Sequence, residues 1–163
     1  MRHNSNDQFF PGLKTMPMKK NIIRKLFAVM LMAFTFSLSE CKKDNSTIPN
    51  VSVDLYVYLS IPSSINLNSQ GGWIYVNGGV KGIIVYRRSN EEFAAYERAC
   101  PYDPNESSAL VEVDSSNILA VDRHCGSKFN LLDNTIINGP TTRSLKAYHA
   151  DYDASGNTVH VYN

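Results

Sequence analysis

Apolar residues fall into two regimes along the 163-residue chain. Near the start there is one uncharged block, Leu26–Leu38 ("LFAVMLMAFTFSL"). From Val51 onward they come in short runs that alternate with polar positions. Val51–Leu59 ("VSVDLYVYL"), Trp73–Val76 ("WIYV"), Val80–Arg87 ("VKGIIVYR") and Glu92–Arg98 ("EFAAYER") read as strands. "ALVEV" (Ala109–Val113), "ILAV" (Ile118–Val121), "SKFNLL", "TII", "SLKAYHADYD" and "TVHVYN" continue the series. Between them lie turn signals: Gln70-Gly71-Gly72, Asn77-Gly78-Gly79, Asp114-Ser115-Ser116-Asn117, Asp133-Asn134 and Ser155-Gly156-Asn157. Asn and Gly accept the positive φ of tight turns, so Asn77-Gly78-Gly79 predicts a hairpin with the second strand returning at Val80. No stretch after residue 50 sustains a helical period. The pattern predicts one all-β domain over residues 51–163, with about nine or ten short strands.

The first apolar block has a different meaning. Lys19, Lys20, Arg24 and Lys25 precede it, and its 13 residues suit a signal-peptide core and fall short of a membrane span of roughly 20. Leu38-Ser39-Glu40-Cys41 then resembles a lipobox, with Glu40 in place of the usual small residue. Residues 18–40 are thus expected to be a lipoprotein signal peptide and Cys41 the lipidated residue. Residues 1–17 have no part in such a leader and read as an over-extended start. Residues 41–50, polar and with one proline, read as a tether. Lys42 is not the aspartate that resembles an inner-membrane retention signal, so the expected location is the outer membrane of a Gram-negative cell envelope.

Charge narrows the partners. The whole chain is formally +1, but residues 41–163 hold ten Lys/Arg against thirteen Asp/Glu, a net −3. An acidic domain argues against a nucleic-acid partner, since phosphate binding calls for a basic face. The expected partners are the membrane, through Cys41, and a protein of the envelope. Outside the cytoplasm cysteines tend to pair, and Cys100 and Cys125 are the two in the domain.

Four segments carry a family resemblance. "GGWIYVNGGVKGIIVYRR" (Gly71–Arg88), "CPY" (Cys100–Tyr102), "DRHCGSKF" (Asp122–Phe129) and "LLDNTIINGPTTRSLKAY" (Leu131–Tyr148) resemble, in order and spacing, the Rieske [2Fe–2S] iron–sulfur family. The resemblance implies stacked small antiparallel sheets with two facing loops at one end. In that family the first loop carries Cys-x-His and the second Cys-x-x-His followed by Gly-Ser and an aromatic; mixed ligation raises the cluster's potential. Gly126-Ser127 fixes the register here. Cys100 then keeps a cysteine position, Tyr102 stands in place of a histidine, Asp122 in place of a cysteine, and Cys125 in place of the other histidine.

Two readings follow from the resemblance. Cys100, Tyr102, Asp122 and Cys125 could hold a [2Fe–2S] cluster with unusual ligands, making the chain an electron-transfer protein or an accessory to an oxidoreductase. Extra anionic donors would lower its potential and favour loss of iron. Alternatively the cluster is lost, no cofactor or metal is bound, and facing loops bring Cys100 and Cys125 together as a disulfide. That bond would close a loop of 25 residues, worth about 3.5 kcal/mol in the chain-entropy model. The second reading is the expectation: a non-enzymatic binding or scaffold module.

The remaining chemistry is sparse. His124 beside Cys125, with Arg98, Arg123 and Lys128, puts positive charge near both loops, which would matter for a redox-active thiol. There is no Cys-x-x-Cys, and these side chains are expected to be solvated loop charges. His149 and His160 fall in strands and are expected at the surface. No Ser–His–Asp order, phosphate loop or zinc spacing stands out. The nine tyrosines suit half-buried strand positions.

Overall fold

The computed structural model describes residues 47–163. Ten strands follow one another: β1 (Asp54–Tyr58), β2 (Trp73–Val76), β3 (Ile83–Arg87), β4 (Phe93–Glu97), β5 (Val111–Val113), β6 (Leu119–Asp122), β7 (Lys128–Asn130), β8 (Ile136–Asn138), β9 (Ala147–Asp153) and β10 (Thr158–Tyr162). All pairings are antiparallel. Six strands form one sheet in the order β1-β10-β9-β4-β3-β2, and four form a second in the order β5-β6-β7-β8. The all-β expectation holds, as does the expectation of small antiparallel sheets.

Alternation along the strands sets the register. On β1 and β10, Leu55 faces Val161 and Val57 faces Val159, which puts these four on one side. They join Ile83, Val85, Phe93, Ala95 and Tyr148 in the first core cluster. The central strands β3 and β4 are buried on both faces, the expected environment for an unbroken run such as "IIVY". Their other faces present Ile84, Tyr86, Ala94 and Tyr96 to a second cluster. The small sheet supplies Val111, Ala120 and Phe129 to that cluster, together with Leu131, Leu145 and Cys100 from the adjoining loops. Strands β3 and β4 are therefore a wall shared by two cores, and the second core anchors the loops that carry Cys100 and Cys125.

One turn differs from its prediction. β3 begins at Ile83, not Val80, so Asn77-Gly78-Gly79 opens a six-residue loop and not a tight hairpin. Gly78, Gly79 and Gly82 all have positive φ. The cause lies at the end of β4. Glu97 is wholly buried and fills the loop: its Oε2 accepts Val80 N–H at 2.7 Å and its Oε1 accepts Lys81 N–H at 2.9 Å. A Cβ on Gly79 would fall 2.2 Å from Glu97 Oε2, so only glycine lets the backbone wrap the carboxylate this closely.

A 3₁₀ segment at Pro62–Asn68 has no counterpart in the sequence reading. Pro62 opens it, and Leu67 is buried in the first core; at this length no period is visible. The expected over-extended start (1–17), signal peptide (18–40) and lipidated Cys41 lie outside the described residues, as does the tether as far as Ser46. The end of the tether is held: Lys146 Nζ donates to Pro49 O and to Asn50 Oδ1, both at 3.1 Å. Among the described residues no helix is long and apolar enough to cross a membrane.

Candidate site between two facing loops

The first loop runs from β4 to β5. Glu97, besides filling the 77–82 loop, accepts Ala99 N–H at 3.0 Å. Ala99 bridges Leu110, which closes the base of the loop. Cys100 then points inward and is wholly buried. Pro101 O accepts a hydrogen bond from Arg143 Nη2. Tyr102 turns the other way: its side chain is on the surface, with 41 % of the residue exposed, and only its backbone N–H addresses the Cys100 sulfur.

The second loop joins β6 to β7. Asp122, the last residue of β6, is wholly buried. Its N–H donates to Ser127 O at 2.9 Å and its carbonyl accepts Gly126 N–H at 2.8 Å. Gly126, at φ +80°, makes that closure possible. The Asp122 side chain is fixed as well, because Oδ1 accepts His124 N–H at 2.8 Å. From outside, Gly139 seats the loop: at φ +115°, its hydrogen points where a Cβ would come 2.3 Å from Ser127 Cα. The Gly139-Pro140 pair thus has a physical role, close backbone approach behind the second loop.

The two loops meet through sulfur. Cys100 Sγ and Cys125 Sγ are 3.6 Å apart. Cys125 Sγ lies 3.2 Å from Asp122 Oδ2 and 3.0 Å from Ser127 Oγ. One donor atom from each of Cys100, Asp122 and Cys125 falls within 4.8 Å of the other two. Both thiols are free, Cys100 buried and Cys125 half-buried. Burial, and then the hydrogen bond to Asp122, push the Cys100 thiol well above its ordinary 9.0. It is therefore a protonated thiol at neutral pH and not a poised nucleophile.

Of the four charges expected to be solvated, Arg123 and His124 are exposed, whereas Arg98 and Lys128 are half-buried. Arg98 Nε donates to Val111 O at 3.1 Å, and its guanidinium lies 3.7 Å over the Tyr75 ring. Arg123 Nε lies 3.4 Å from Glu112 Oε2. His124 is exposed, with Nδ1 3.0 Å from Ser108 Oγ; it lines an open depression of about 350 Å³ with Asp103, Asn105 and Glu106. His149 and His160 lie in a run of stacked rings, Tyr56–His160–Tyr162–His149, with centroids 4.3, 4.6 and 4.9 Å apart.

A [2Fe–2S] centre requires four donors, two on each iron. Three converge here, the fourth position holds a surface tyrosine, and no imidazole among the described residues joins them. The residues do not fit a Rieske cluster. A disulfide does not stand in this geometry either; its sulfurs would be about 2.05 Å apart and here they are 3.6 Å apart. Sequence reasoning passed over the residues that support the loops. Glu97 stands at the end of an apolar run, beside Arg98 and immediately before the first loop, and that position is its signal. Ser127 served only to set register, and Arg143 carried no signal.

No family model matches the sequence, and no curated protein matches it. Among solved structures the chain is similar to one named as an NADH-dependent nitrite reductase small subunit from Mycobacterium tuberculosis. The two are 15 % identical, with a TM-score of 0.42 over 70 % of this chain and 97 % of that one.

Proposed function

We propose that this chain is a lipid-anchored envelope protein whose Rieske-like domain works without an iron–sulfur cluster, as a non-enzymatic binding module. In its working state the two loops are joined by a Cys100–Cys125 disulfide. The observation that carries this is the meeting of two thiols from opposite loops, 3.6 Å apart, at a place that lacks the histidines a Rieske centre requires. Closing the bond needs an approach of about 1.5 Å. Two S–H bonds break and one S–S bond forms, while the S–S bond of an oxidised carrier of the envelope breaks and takes up the two electrons and two protons to become a dithiol. The lipobox-like Leu38–Cys41 supports the anchor, and the acidic mature sequence favours a protein partner over nucleic acid.

The test is to express the full chain in a Gram-negative host and purify it from membranes without reductant. The expected material is colourless, free of iron, and without alkylatable thiol at Cys100 or Cys125 after denaturation. Fatty-acid label should be incorporated and should vanish with Cys41→Ser. A coloured protein with about two irons per chain would overturn the reading in favour of electron transfer. Two modifiable thiols in unreduced material would remove the disulfide.

A further inference from the structure

We propose that in the dithiol state Cys100 Sγ, Cys125 Sγ and Asp122 Oδ2 form a binding site for a single thiophilic metal ion of the Zn²⁺ class. This uses the same two sulfurs as the reading above but concerns the reduced protein, so neither proposal requires the other to hold.

Two sulfurs about 2.3 Å from one tetrahedral ion lie about 3.8 Å from each other, and a sulfur and a carboxylate oxygen lie about 3.5 Å apart. The observed separations are 3.6 Å for the two sulfurs and 3.2 Å for Cys125 Sγ to Asp122 Oδ2. For these two pairs a movement of a few tenths of an ångström reaches the tetrahedral spacing. One donor atom from each of the three residues lies within 4.8 Å of the other two.

Asp122 is wholly buried, and its Oδ1 is tied to His124 N–H, which leaves Oδ2 turned to the sulfurs. The second loop is seated by the contact of Gly139 with Ser127, and the first by Arg143 at Pro101 O. Half-buried Cys125 leaves a solvent side, where a water completes four-coordination.

The donor set selects the ion. Two sulfurs and one oxygen suit Zn²⁺, whereas Ca²⁺ and Mg²⁺ demand oxygen shells. Binding exchanges the two thiol protons for the ion and releases them to solvent, with no electron transfer. Because the ion is held by the atoms a disulfide consumes, oxidation expels it. The site is then a junction that either a metal or a covalent bond closes, according to redox state.

The experiment uses the full chain in detergent, reduced by a phosphine that is then removed, under anaerobic conditions. Co²⁺ is titrated as a spectroscopic stand-in for Zn²⁺. The expected result is saturation at one ion per chain, with thiolate-to-cobalt charge transfer that Zn²⁺ bleaches. Asp122→Asn, which retains the acceptor for His124 N–H, should weaken binding about tenfold or more. Cys125→Ser should abolish the band, while His124→Ala and Cys41→Ser should leave it intact. Absence of the band in folded wild-type protein overturns the proposal, as does a full band in Cys125→Ser. Should Cys125→Ser fail to fold, alkylation decides: one equivalent of Zn²⁺ should protect both domain thiols, and lack of protection counts against the site. The disulfide reading is judged on unreduced material, so the two proposals fail separately.

Discussion

Replacing Glu97 by glutamine tests how the fold is held at the root of the site. The carboxylate accepts four hydrogen bonds: Lys81 N–H and Ala99 N–H at Oε1, and Val80 N–H and Tyr148 O–H at Oε2. Glutamine keeps one carbonyl oxygen, which can serve Lys81 and Ala99. Its amide then faces Val80 N–H and Tyr148 O–H. The tyrosine hydroxyl can rotate and accept, but Val80 N–H is left opposing another donor, at about 1–3 kcal/mol. The other bonds lose charge assistance, about 1 kcal/mol each. Glutamine avoids the desolvation of a buried charge, which offsets part of this. The net expectation is a loss of about 2 kcal/mol, read as a lower urea midpoint at unchanged slope. Glu97→Ala, which orphans all four donors, should cost about 4 kcal/mol or more. A Glu97→Gln protein within about 0.5 kcal/mol of wild type would refute the claim that this carboxylate organises both the 77–82 loop and the first site loop.

Three further outcomes follow from the geometry. Gly139→Ala places a methyl group on the Ser127 backbone at positive φ and should cost about 2–4 kcal/mol, whereas Gly126→Ala, with nothing within 4 Å, should cost only about 1–2 kcal/mol of backbone strain; chemical denaturation of the pair separates contact from conformation. In native reduced protein Cys125 should be alkylated at least about tenfold faster than buried Cys100, followed by mass spectrometry of the two peptides. In the same reduced protein, because folding raises the Cys100 thiol above its ordinary 9.0, the folded state holds that proton longer. Stability from this group is full below pH 9 and falls as pH rises, by at most about 1.4 kcal/mol per pH unit. Cys100→Ser should remove the decline between about pH 9 and 10, before the raised tyrosines Tyr86, Tyr96 and Tyr148 contribute above 10.

The outer strands were legible because one residue type per face repeats at period two, the central β3 and β4 because they are short unbroken apolar runs, and turns because their chemistry is local. Asn117, Asn134 and Asn157 all sit at positive φ, and each lies in a turn that the sequence marks. The 77–82 loop was not legible, because what holds it open is Glu97, which is distant in sequence and whose direction no local pattern reveals. The site was legible in the same partial way. Register from Gly126-Ser127 puts Asp122 and Cys125 in one loop opposite Cys100, and these three converge. Tyr102 occupies the fourth position by spacing alone, yet its side chain lies at the surface. Spacing fixes where a backbone passes and not which way the side chain leaves it.

The supports of the two loops also bear on what a bond or an ion between them can do. The first loop is held by Ala99 N–H on Glu97 and by Arg143 on Pro101 O. The second is held by Gly139 against Ser127 and by the Asp122–Ser127 closure. None of these contacts uses either cysteine. Convergence of the thiols is therefore a property of the frame and precedes whatever joins them. A Cys100–Cys125 bond would act mainly on the unfolded chain, which it constrains, for about 3.5 kcal/mol, and on the native loops through the approach of about 1.5 Å that closing it needs. Cys100→Ser and Cys125→Ser should accordingly lose stability in the oxidised protein while keeping both loops in place, and the Trp73 side chain, bonded through Nε1 to Asn117, should keep its native fluorescence. Loops that come apart when one cysteine is removed would mean that the junction builds the site and the frame does not.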